Sequence, residues 1–85
     1  MNNISWRPKA LRQLRKLEAS VSVEIRKAVT NELVDFSESK NVKKLTNHDY
    51  GYRLRVGRYR VFFNFEGKVQ VVLIEEVKKR DERTY

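Results

Sequence analysis

Cysteine is absent from the 85-residue chain, which excludes a disulfide framework, a thiol nucleophile and any cysteine metal site. The one histidine, His48, has no second histidine at ligand spacing. Neither a zinc centre nor a histidine pair for acid–base chemistry is therefore expected, and no metal or cofactor is called for. One proline and three glycines leave little room for long loops. No apolar run approaches the ~20 residues a membrane-spanning helix needs. The opening MNNISWRPK lacks the apolar stretch of a secretory signal, so the expected location is the cytoplasm. Internal repeats and low-complexity tracts are missing too.

Positive charge is what the chain has in excess. Nineteen Lys and Arg stand against eleven Asp and Glu, a net charge of +8. Such a surface suits nucleic acid, an acidic protein or an anionic membrane, the plainer reading being solubility. A hydrophobic fraction of 40% and an aromatic fraction of 11% fit one small folded domain spanning residues 1–85 rather than a disordered tail.

Hydropathy periodicity gives the elements. Residues 3–6, NISW, read as a short first strand, and Pro8 suits the first turn of a helix. Leu11, Leu14, Leu17 and Val21 follow helical spacing, with Arg12, Arg15 and Lys16 on the other side. Ser20 and Ser22 are cap candidates between this helix and the next. Ile25, Val29, Leu33 and Phe36 make a second apolar stripe. Residues 37–50 are polar and turn-rich, with Val42 and Leu45 as anchors. From Tyr52 the period becomes two, and strands are predicted at 52–56, 59–65 and 69–77. The expected class is α+β in the order β-α-α-β-β-β, a helical hairpin packed on a small antiparallel sheet.

The stretch YRLRVGRYRVFF carries the functional signal. Gly57-Arg58 suits a two-residue type II′ turn. That turn pairs Val56 with Tyr59, Leu54 with Val61 and Tyr52 with Phe63, all on one apolar face turned to the helices. The other face carries Arg55 opposite Arg60, and Arg53 opposite Phe62. Like charges directly opposite disfavour the sheet, an arrangement expected where function dominates. Two guanidiniums beside an aromatic ring can clamp a phosphate and stack a base. The alternative is a solvated face whose arginine stems cover apolar surface. The third strand is apolar on both sides and is expected to be central. It leads into a basic end containing Lys78, Lys79, Arg80, Arg83 and Tyr85, which the strand order brings near Arg60. Glu75 and Glu76, adjacent on a strand, should point to opposite faces and share no site. His48 is expected to be an ordinary loop residue.

The helical hairpin, then KKLTNHDYGYRLRVGRYRVFF, then a strand ending in KKRDERTY together resemble the RelE/ParE toxin superfamily, specifically its RelE-type ribonucleases. The resemblance covers nearly the whole chain. It implies the toxin of a bacterial type II toxin–antitoxin pair, acting in the cytoplasm as a metal-independent, ribosome-dependent endoribonuclease that cleaves mRNA in the ribosomal A site. Arg53 and Arg55 match two basic residues of the family's first hairpin strand, and Arg60 matches the arginine of its G-Y-R motif. Arg80 or Arg83 matches the basic residue of the tail, and Tyr85 matches its tyrosine. The implied catalytic set is thus Arg53, Arg55, Arg60, Arg80 or Arg83, and Tyr85. Lys43, Lys44, Lys78, Lys79 and Phe62 are the expected RNA-binding residues. Relatives often carry Gly or His at the positions of Lys78 or Lys79, and many continue beyond the tyrosine.

Attack by a ribose 2′-OH needs a base, charge stabilisation on phosphate and an acid at the departing 5′-oxygen. A cluster of cations can lower the pKa of a nearby tyrosine or lysine, and arginines hold developing charge while staying protonated. Tyr85 then serves as general base or as a stacking group. A cognate antitoxin with an acidic segment is the implied partner, beside ribosome and mRNA. Two alternatives stand: a ParE-like DNA gyrase inhibitor without nuclease chemistry, and a non-catalytic basic RNA-binding module.

Overall fold

Pro8, at the first helical position, supplies a preset φ where a backbone N–H is not needed, and the chain turns there from strand into helix. The computed structural model describes residues 1–80. Its elements are β1 (Asn3–Trp6), α1 (Pro8–Arg15), α2 (Ala19–Leu33), β2 (Val42–Lys44), β3 (Tyr52–Val56), β4 (Tyr59–Glu66) and β5 (Val71–Lys79). The five strands form one sheet in the order β1-β5-β4-β3-β2. The parallel pairing of β1 with β5 makes the sheet mixed rather than wholly antiparallel.

Both helices lie on one face. Ala10 and Leu14 of α1 and Ile25, Val29 and Leu33 of α2 pack with Leu54, Val61, Phe63, Val72 and Ile74 of the sheet. Phe36 follows α2 and meets Tyr52, Phe63 and Phe65 edge-on, at centroid distances of 5.3, 5.4 and 5.2 Å. This geometry favours aromatic pairs beyond simple burial.

The break between the helices comes earlier than the serines imply. The amides of Lys16 and Leu17 reach back three residues, to Gln13 and Leu14, at 3.2 Å each. That tightens and ends α1. Glu18 is the N-cap residue of α2, so Ser20 and Ser22 lie inside the helix and cap nothing.

The hairpin register is the predicted one, with Val56 opposite Tyr59, Leu54 opposite Val61 and Tyr52 opposite Phe63. Gly57 has φ +57° while Arg58 stays outside the left-handed region, as a type II′ turn requires. The third strand of the meander starts two residues later than expected. Gln70, at φ +52°, closes the turn, and Val69 is 65% exposed.

β5 is an interior strand between β1 and β4, with Val72, Ile74 and Val77 in the core. Where β1 ends at Trp6, α1 takes over its flank. The side-chain carbonyl of Gln13 accepts the Val77 amide at 2.6 Å, satisfying a strand N–H beyond the reach of β1.

A register shift at Phe62/Phe63 corrects the expectation for the two glutamates. Phe62 pairs with Glu76 and Phe63 with Ile74, leaving Glu75 as an extra residue. Such a bulge breaks the alternation of side chains. Both carboxylates therefore reach partners on the face away from the helices. Glu75 accepts from Asn64 Nδ2 at 3.2 Å, and Glu76 accepts from the Tyr50 hydroxyl at 2.9 Å.

Candidate nucleic-acid interface

The open face of the sheet is organised by register. One row across it runs Arg55, Arg60, Lys78, and the next runs Lys43, Arg53, Phe62, Glu76. The Arg55 amide donates to Asn41 O at 2.9 Å, on the β2 side. Arg55 and Arg60 thus form a non-hydrogen-bonded pair, the closer of the two antiparallel pairings, with Cα atoms about 4.5 Å apart. The expected approach of the basic end to the arginine face holds as far as the described residues go. Lys78 pairs with Arg60, and the Arg80 amide donates to Arg58 O at 2.6 Å.

The electrostatics are those of crowded cations. Burial, and then the charges of Arg55 and Arg60, lower the Arg53 pKa below the ordinary guanidinium value. Arg53 Nη1 donates to Asn41 O at 3.3 Å. The Nε of Arg60 is buried without a hydrogen-bond partner among the described residues. A buried charged donor in that condition has much to gain from an anion.

A carboxylate anchors the edge of this cation field. Glu76 is 7% exposed and lies 3.5 Å from both Lys9 Nζ and Lys78 Nζ. Burial alone would raise its pKa, but the Tyr50 hydrogen bond and the charges of Lys78 and Lys9 hold it below the ordinary value. Glu75 meets Arg7 Nε at 3.6 Å. The hydrogen bond to Glu76, followed by burial and the nearby carboxylates Glu76, Glu75 and Asp49, raises the Tyr50 pKa. Tyr50 is therefore held neutral and is poorly suited to act as a base.

The segment 45–51 was not legible as part of the site. It folds over the open face and is fixed there. The Leu45 amide donates to Gly51 O at 2.8 Å, and the Gly51 amide to Asn64 Oδ1 at 2.7 Å. His48 stacks on Phe62 with centroids 5.1 Å apart and planes 15° apart. Tyr50 lies against the same ring at 5.7 Å. Phe62 is consequently 7% exposed. This corrects the expectation of an open Phe62 ring, because the surface that would receive a base is covered by His48.

Other expected residues divide by register. Lys43 pairs with Arg53 and shares its face, whereas Lys44 pairs with Tyr52, on the helix side. Lys78 joins the arginine row, whereas Lys79 pairs with Tyr59, again on the helix side. Strand alternation separates each lysine doublet, so Lys44 and Lys79 do not belong to the cation field. Arg80 is exposed at the end of β5. Arg83 and Tyr85 lie outside the described residues. Among the described residues no group of three or more His, Asp or Glu is placed to hold a metal ion, and no helix is long and apolar enough to cross a membrane.

Comparison with known proteins bears on the whole arrangement. A family model described as the ParE toxin of the type II toxin–antitoxin system parDE matches residues 4–84. No curated protein sequence matches the chain. Among solved structures, the isolated Escherichia coli RelE toxin superposes with a TM-score of 0.79 at 21% identity, covering 99% of this chain and 89% of that one. The RelE of the archaeal RelE–RelB complex from Pyrococcus horikoshii gives 0.71 at 26% identity, with 95% and 97% covered. The RelBE2 toxin–antitoxin complex of Mycobacterium tuberculosis gives 0.74 at 19% identity, with 93% and 98% covered. With two helices on one face of the sheet, as in those RelE structures, and a family model spanning nearly its full length, the chain belongs to the ParE toxin family of type II toxin–antitoxin systems, within the RelE/ParE superfamily.

Proposed function

We propose that this toxin is a ribosome-dependent endoribonuclease that cleaves mRNA in the ribosomal A site. The observation that carries the reading is the convergence of Arg53, Arg55, Arg60 and Lys78 on one open sheet face, with the Arg60 Nε buried and without a hydrogen-bond partner among the described residues. A face built around a like-charge pair weakens the sheet. It is matched to the concentrated negative charge of a phosphodiester passing through a phosphorane.

In this mechanism the ribose 2′-oxygen attacks the adjacent phosphorus while a base removes its proton. The bond from phosphorus to the 5′-oxygen breaks, and that oxygen takes up a proton. The products are a 2′,3′-cyclic phosphate and a free 5′-hydroxyl. Arg60 binds the non-bridging oxygens, and Arg53, Arg55 and either Arg80 or Arg83 share the developing charge. Tyr85 is the base or a stacking group. Arginine-based charge stabilisation with weak acid–base groups depends on a well-oriented substrate, which the ribosome supplies.

The partner proposed is a cognate antitoxin whose acidic segment covers the cation face, in keeping with the RelB antitoxins present in the Pyrococcus horikoshii and E. coli RelBE complexes. A second reading is favoured by the description of the matching family as ParE toxin: inhibition of DNA gyrase, with no nuclease step.

The test is cleavage mapping on mRNA alone and on mRNA in ribosomes with an empty A site, using the native protein beside Arg60→Ala and Tyr85→Phe. Cuts confined to the A-site codon and lost in Arg60→Ala are expected; loss in Tyr85→Phe as well assigns Tyr85 the role of base, and retained cleavage assigns it the stacking role. A folded protein that is toxic in cells but leaves mRNA intact on ribosomes overturns the reading and turns the search to gyrase.

A further inference from the structure

His48 lies with one side of its ring on Phe62, yet the residue as a whole is exposed. Its Nδ1 accepts the Tyr50 amide at 3.1 Å, which fixes the ring plane and leaves Nε2 as the N–H of the neutral imidazole. Tyr50 flanks it at a centroid distance of 5.8 Å and is tied to Glu76. The ring is thus held by a built support rather than by its own rotamer alone.

Its position relative to the cations gives the support a use. The Phe62 beneath it pairs with Arg53 and stands two residues along β4 from Arg60. Two strand residues span about 6.6 Å, comparable to the distance from a nucleotide's base to its own phosphate. We propose that the outward side of His48 is a stacking platform for one unpaired nucleobase of the RNA whose phosphate lies on Arg53 and Arg60. This rests on the RNA-cleaving reading and adds a base subsite to it. The stacking role expected of Phe62 passes to the ring above it, with Phe62 as its underside. Stacking on an aromatic ring is tolerant of base identity but stronger for purines, so the platform favours a purine without reading its edge.

The test uses a short single-stranded RNA made uncleavable by 2′-O-methyl groups, with 2-aminopurine placed at successive positions, titrated at low salt. Native protein should quench 2-aminopurine at one position. His48→Ala should abolish that quench and weaken binding about 10-fold. His48→Phe, which keeps a flat ring over Phe62, should restore both. Arg60→Ala should weaken binding of every probe alike, reporting the phosphate contact separately. If His48→Ala quenches and binds as the native protein does, while Arg60→Ala does not, the platform is overturned and the RNA reading stands. If the native protein binds none of the probes and leaves mRNA intact on ribosomes, both are overturned. If it cuts mRNA on ribosomes but quenches no probe, the platform alone is overturned.

Discussion

Arg55 and Arg60 face each other across β3 and β4 as a non-hydrogen-bonded pair of like charge. Opposed like charges on a sheet cost a few tenths of a kcal/mol to about 1 kcal/mol. Replacing Arg55 with Thr, a good strand residue, should therefore raise stability by about 0.5 kcal/mol, seen as a higher urea midpoint at unchanged slope. The same variant should lose toxicity and A-site cleavage. A variant that is more stable and as toxic as the native protein would show that the pair has no functional purpose.

Glu76 ties three elements together through Lys9, Lys78 and Tyr50. Its carboxyl is held below the ordinary value of 4.5, so the unfolded chain takes up the proton first. Its stabilising effect is then complete above about pH 4.5 and fades as pH falls through the lower folded-state value. Tyr50→Phe removes the hydrogen bond to this charged group and should cost about 1.5 kcal/mol at pH 7. The difference should shrink as pH falls below 4.5 and through the lowered folded-state value, where Glu76 becomes protonated in both proteins. Urea titrations at pH 7 and at a series of acid pH values measure it. At the alkaline end the sign reverses: Tyr50 titrates above its ordinary 10.0, and its contribution, present below pH 10, is lost as pH rises through the raised value.

How legible this was depended on whether a feature was local. The Gly57-Arg58 turn fixed the pairing of β3 with β4 because a two-residue loop admits one register, and Arg55 opposite Arg60 followed directly. β2 was missed because three residues, Val42–Lys44, are too few to show alternation. The parallel pairing of Asn3 with Val71 joins distant segments and leaves no short-range signature. The bulge at Glu75 depends on how β5 meets β4, and it alone moved Glu75 and Glu76 onto one face. The least legible feature was the segment 45–51, whose polar residues read as loop while Tyr50 and His48 in fact close over Phe62. The one available signal was a His and a Tyr two residues apart, just before a strand whose partner carries an aromatic on its open face.

Gln13 does structural work that its residue type conceals. Its Oε1 accepts the Val77 amide at 2.6 Å, completing the β5 ladder where β1 has ended. Gln13→Leu keeps the bulk but leaves a part-buried N–H without an acceptor, and should cost about 2 kcal/mol. In a domain whose total stability is on the order of 5–15 kcal/mol, that is a visible drop in thermal midpoint. Amide exchange should single out Val77 as the position most deprotected relative to its neighbours. Uniform deprotection of β5 would instead indicate general loosening.

The lysine doublets offer a test of register against composition. Lys43 and Lys44 carry the same charge and are neighbours in sequence, yet the pairing with Arg53 and Tyr52 puts them on opposite faces of the sheet. Lys78 and Lys79 are split in the same way by Arg60 and Tyr59. If net charge alone drove RNA binding, alanine at any of the four positions would act alike. Binding through the open face predicts a contrast. Lys43→Ala and Lys78→Ala should each reduce the slope of log affinity against log salt by about 0.7, the value for one single-strand phosphate contact. Lys44→Ala and Lys79→Ala should leave that slope within error of the native protein. Titration of a 2′-O-methyl RNA between low and moderate salt measures all four, and equal slopes across the set would mean that the RNA does not lie along the arginine row.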